Sequence, residues 1–91
     1  MTYTIFVSKE ADEDFRLLKR SEPSAYNKLL RLFEELQEHP RTGTGKPEQL
    51  KGSRSGQWSR RISQKHRLIY EIEEEEVTVI VLAAYSHYKD K

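Results

Sequence analysis

Two apolar stripes of helical period, parted by Ser21-Glu22-Pro23 and closed by Pro40, constrain this chain more than any other feature. Ala11, Phe15 and Leu18 recur at i, i+4 and i+7, and Tyr26, Leu29, Leu30, Phe33 and Leu36 form a second stripe. The Ser8 hydroxyl can accept an orphan backbone N–H at the start of the first helix. Glu10, Asp12, Glu13 and Asp14 follow where the helix dipole favours negative charge. Pro23 is tolerated in a first turn, and Pro40 stops the second helix. Two amphipathic helices joined by a tight turn must cover an apolar surface, so an antiparallel hairpin packed on a sheet is expected.

The rest of the chain supplies that sheet. Tyr3 to Val7 is short, β-branched and aromatic, as in a strand. Residues 41–57 hold all four glycines and read as an ordered loop with one short strand near Leu50. From Trp58 the pattern alternates, with Trp58, Arg60 and Ile62 on one face and Ser59, Arg61 and Ser63 on the other. Leu68, Tyr70 and Ile72 then oppose Arg67, Ile69 and Glu71. Glu73 to Glu76 suit an exposed turn, and Val77 to Ala84 is apolar on both faces, as in a central strand. The expected fold is α+β: β-α-α-β-β-β, a small antiparallel-rich twisted sheet against a two-helix hairpin, in one domain over residues 1–91.

With 91 residues and no cysteine, the chain has no disulfide staple, thiolate metal site or cysteine nucleophile. No apolar run approaches the roughly 20 residues of a membrane span. The first residues show no basic stretch followed by an apolar one, so a soluble, cytoplasmic protein is expected. The formal net charge of +1 conceals a segregation. Residues 41–67 carry eight cations (Arg41, Lys46, Lys51, Arg54, Arg60, Arg61, Lys65 and Arg67) against Glu48 alone, or +7. The flanking segments carry −2 and −4. A basic patch built by a loop and two strands suits phosphate.

A carboxylate, arginines, a histidine and a tyrosine accompany that patch. RNA cleavage without a metal needs such a set. A base takes the 2′-hydroxyl proton, cations stabilise the five-coordinate phosphate, and an acid protonates the departing 5′-oxygen. Glu48 has a plainer alternative, a salt bridge to a neighbouring Arg or Lys. No His and carboxylate positions have metal-ligand spacing, and there is no nucleotide-binding glycine motif, so neither metal nor cofactor is expected.

The segments GKPEQLKG (Gly45 to Gly52), SGQWSRRISQKHRLIYEI (Ser55 to Ile72) and YSHY (Tyr85 to Tyr88) closely resemble the YoeB, or Txe, toxins of the RelE/ParE superfamily. The resemblance covers essentially the whole chain. It implies the toxin of a type II toxin–antitoxin system, a ribosome-dependent endoribonuclease that cuts messenger RNA in the ribosomal A site. It also implies a YefM/Phd-type antitoxin partner and a homodimer. By position in the shared motifs, Glu48 is the expected general base, Arg67 the phosphate-stabilising arginine, His87 the general acid and Tyr88 the substrate-positioning residue. An imidazole titrates near neutrality, which fits His87 for acid work. Arg61 is the second phosphate candidate, and Lys46, Lys51, Arg60, Lys65 and His66 are expected RNA or ribosome contacts. Lys89-Asp90-Lys91 extends past the tyrosine that usually ends such chains and can be a disordered tail. Two other readings stand beside this one: a noncatalytic ParE-like toxin that blocks gyrase, and a plain RNA-binding module using the same patch.

Overall fold

The computed structural model describes residues 2–76 and 78–84. The chain runs β1 (Thr4–Val7), α1 (Lys9–Ser21), α2 (Pro23–Glu38), β2 (Glu48–Gln49), a 3-10 turn (Gly52–Arg54), β3 (Trp58–Arg61), β4 (Arg67–Glu73) and β5 (Thr78–Ala83). The sheet order is β1-β5-β4-β3-β2. β1 lies parallel to β5 and every other pair is antiparallel. The connection from β1 to its parallel partner β5 runs through the helical hairpin and the three strands between them. β5 is flanked on both sides, as its two apolar faces led us to expect.

The expected caps hold. Ser8 Oγ accepts from the Ala11 N–H at 3.1 Å, and Pro23 opens α2. One core joins Ala11, Leu18, Leu29, Leu32 and Leu36 of the helices to Leu68, Tyr70, Val79 and Val81 of the sheet. Phe15 and Phe33 meet edge to face between the helices, with ring centres 5.6 Å apart.

The α2 stripe differs from expectation at one position. Leu30 is 46% exposed, while Leu32 is fully buried. The buried line runs Ala25, Leu29, Leu32, Leu36, with Tyr26 and Phe33 at its margin. The helix must cover both the sheet and α1, and this turns its apolar centre away from Leu30. The strand in the basic loop is only two residues long and begins at Glu48, just before the expected Leu50.

Candidate active site

Strand register decides which polar side chains meet. Glu48 pairs with Ser59, Ser59 with Ile69, and Ile69 with Ala83, forming one row across four strands. The next row pairs Arg61 with Arg67. Residues directly opposite in a ladder point to the same face. Leu68 and Tyr70 face the helices, so Glu48, Arg61 and Arg67 share the outer face. Arg61 is two residues beyond the partner of Glu48, a diagonal of about 7–8 Å that long side chains can span. Arg67 Nη1 donates to Ser59 Oγ at 3.5 Å, which leans this guanidinium toward the Glu48 row. Among the described residues Glu48 is exposed and makes no ion pair, so the salt-bridge alternative finds no partner there.

The loop reaches this place by a close passage over β3. The Arg61 N–H donates to Gly45 O at 2.7 Å. A Cβ on Gly45 would stand 2.9 Å from Arg61 O, and its φ is +86°, so only glycine fits. Lys46, Lys51 and Arg61 are exposed, as an RNA-facing role requires. Lys65 is exposed too, with Nζ 3.4 Å from Glu22 Oε2.

Two expected surface contacts are corrected. Arg60 is fully buried. Its Nε donates to Tyr70 Oη at 3.1 Å, Nη1 to Glu35 Oε1 at 2.8 Å and Thr44 O at 3.3 Å, and Nη2 to Thr42 O at 2.7 Å and His39 O. All five guanidinium N–H groups find acceptors, which is the condition for keeping this cation out of water. Its place on the apolar face beside Trp58 and Ile62 was the available signal. His66 is fully buried as well, with Nε2 2.8 Å from Glu22 Oε2. The hydrogen bond from His66, aided by Lys65 and opposed by burial, holds the Glu22 carboxyl below its ordinary 4.5. This contact ties the helix–helix junction to the β3–β4 turn.

His87 and Tyr88 lie outside the described residues, as do Lys89 to Lys91. The chain leading to them is anchored by a residue that the sequence reading missed. Asp14, on α1, accepts from the Ala84 N–H at 3.0 Å through Oδ2 and is buried. The β4–β5 register slips between Ile69 and Tyr70, so Leu82 has no opposite number. This bulge changes the alternation: Val81 and Ala84 join the helix-facing core, and Ala83 does not. Among the described residues no three metal-ligating side chains gather, and no helix is long and apolar enough to cross a membrane.

Known proteins resemble this chain in sequence and in fold. A family model described as "YoeB-like toxin of bacterial type II toxin-antitoxin system" matches residues 7–88. Toxin YoeB of Mycobacterium bovis is 43% identical over 79 residues, covering 87% of this chain and 91% of that protein. A YoeB/ParE toxin from Agrobacterium tumefaciens superposes with a TM-score of 0.85 at 29% identity, over 93% of this chain and 99% of that one. Staphylococcus aureus YoeB, at 28% identity over 97% of this chain and 100% of that one, is solved as a dimer (TM-score 0.81) and as a heterotetrameric complex with YefM (0.80).

Proposed function

The chain belongs to the YoeB toxin family of bacterial type II toxin–antitoxin systems, and from that membership we propose that it is a ribosome-dependent endoribonuclease. The carrying observation is Glu48, Arg61 and Arg67 on one outer sheet face, in adjacent rows of the ladder. In this reading messenger RNA lies across that face in the ribosomal A site. Glu48 takes the proton of a 2′-hydroxyl, and the freed oxygen attacks the neighbouring phosphorus. Arg67 and Arg61 stabilise the added negative charge on the five-coordinate phosphate. The bond to the 5′-oxygen breaks, and His87 protonates that leaving oxygen. One strand then ends in a 2′,3′-cyclic phosphate and the other in a 5′-hydroxyl. The internal nucleophile is the 2′-hydroxyl, which DNA lacks.

The segment that carries His87 lies within residues 7–88, which the family model matches, and this supports its role. In the same reading Tyr88 positions the substrate by stacking on a base. The resting form is a complex in which an acidic segment of a YefM-type antitoxin covers the 41–67 surface, and the toxin pairs as a homodimer in the cytoplasm.

Cell-free translation with the purified chain, followed by mapping of messenger RNA 5′ ends, tests this reading. Cuts near the A site are expected, and Glu48→Gln and His87→Gln should each slow cleavage about 10²-fold or more with the fold intact. Arrest of translation without any cut, unchanged in His87→Gln, would sink the nuclease and favour a binding toxin.

A further inference from the structure

Arg60 is the most heavily bonded side chain among the described residues, and it lies beneath the proposed site rather than in it. Three of its acceptors are the main-chain carbonyls of His39, Thr42 and Thr44, and a fourth is the Glu35 carboxylate. Tyr70, the fifth, passes the connection on by donating to Pro40 O at 2.8 Å. Thr44 closes the ring, its N–H and Oγ1 donating to the two oxygens of Glu35 at 2.8 and 2.6 Å. The whole connection from the end of α2 to Thr44 is therefore held by one guanidinium arriving from β3. The last turn of α2 carries no basic residue of its own, so Arg60 also supplies the cation that a helix C-terminus favours.

The clamp sits directly upstream of Glu48. Gly45 is fixed to the Arg61 N–H, and only Lys46 and Pro47 intervene before β2 begins. β2 has just two paired residues at the edge of the sheet, too short to set its own position. Downstream it has one further tie, Leu50 N to Gln57 O at 2.9 Å. The place of the Glu48 carboxylate is thus inherited from the anchors on either side. Lysine would not replace the clamp, because an ammonium offers three donors at a point where the site uses a planar fork of five.

We infer that Arg60 is a positioning residue for Glu48: by clamping residues 39–44 to the sheet, it fixes the segment that delivers the general base. This rests on the endoribonuclease reading above. Arg60 touches no substrate; it acts only through Glu48, and that gives a signature that general support of the fold would not.

The test is single-turnover cleavage of messenger RNA on programmed ribosomes, using the full chain. Arg60→Lys should cut the rate about tenfold or more while ribosome affinity stays within about twofold, since small misplacements of a reacting group are costly. In the Glu48→Gln background the same change should cost less than about twofold, because the group it positions is already disabled. Gly43→Ala provides a second route that leaves Arg60 in place. Its Cβ would stand 2.5 Å from Glu35 Oε1 and 3.3 Å from Arg60 Nη1, at a φ of +118°, on an exposed loop. It should show the same background dependence, and it decides the matter if circular dichroism finds Arg60→Lys unfolded. Equal losses in both backgrounds, or a folded Arg60→Lys at full rate, overturn the inference. A wild-type chain that does not cut removes the nuclease reading together with this one, whereas a cutting wild type with additive losses removes this one alone.

Discussion

Arg60 and Arg61 are neighbours of one residue type with opposite fates. Strand alternation sends Arg61 to the outer face and Arg60 into the core, where Glu35 answers its charge at 2.8 Å. A charge count along the sequence cannot see this, because it weighs both alike. Two other cations of the 41–67 segment are also engaged by acids, Arg41 by Glu74 and Lys65 by Glu22. Glu35 carries a pH consequence. Burial pushes its carboxyl up, but hydrogen bonds from the Thr44 hydroxyl and N–H and from Arg60 outweigh that and hold it below its ordinary 4.5. A carboxylate with a depressed folded-state value stabilises fully above the unfolded value, and the contribution is lost as pH falls through the folded one. Glu35→Gln should therefore be about 1–3 kcal/mol less stable than the wild type at pH 7. The gap should narrow as pH falls below the ordinary carboxyl value of 4.5. Urea unfolding at several pH values measures it, and a gap independent of pH would mean that Glu35 does not hold Arg60 as a carboxylate.

At the scale of elements, which face of a helix is buried depends on more than its own pattern. Leu30 belongs to the α2 stripe by spacing, yet the helix is wedged between α1 and the sheet and turns Leu32 inward instead. Leu32→Ala should cost about 2–5 kcal/mol by leaving a core cavity. Leu30→Ala should stay within about 0.5 kcal/mol, as surface changes do. Thermal or denaturant unfolding of the two variants compares the faces directly. β5 shows the same dependence on neighbours. Its bulge at Leu82 is set by the pairing with β4, and the Asp14 contact to Ala84 joins residues seventy positions apart, with no local signature at either end. Asp14→Ala leaves the buried Ala84 N–H without this acceptor and should destabilise the fold by about 1–3 kcal/mol. Asp14→Asn, which keeps an oxygen in place, should lose less. Equal losses for the two would argue against the hydrogen bond as the cause.

Across the whole molecule, the near-neutral total is a sum of parts with different tasks. The acidic ends build the helices and the exposed β4–β5 turn, and the middle segment concentrates cations around one carboxylate. Binding driven by such a surface weakens as salt rises, with a slope set by the number of phosphates met. Lys51→Ala and Arg61→Ala should each lower the salt slope of ribosome binding by about 1. Arg41→Ala should leave it unchanged, because Glu74 already answers that charge. A uniform fall in all three variants would show that overall charge, not this surface, governs binding.

The sequence alone determined the order of elements, the capping of α1, the central place of β5 and the shared polar side of Arg61 and Arg67. Each of these is a short-range pattern: a period of 3.6 or 2, a cap, a proline, a run without charge. The family motifs likewise marked Glu48 before any fold was known. Only the tertiary structure decided that β1 joins the sheet parallel to β5, that Arg60 and His66 are internal supports, and that Asp14 secures the end of β5. Those outcomes rest on partners brought together from distant positions. For a buried cation such as Arg60, the number of acceptors it meets in three dimensions sets whether it can leave water.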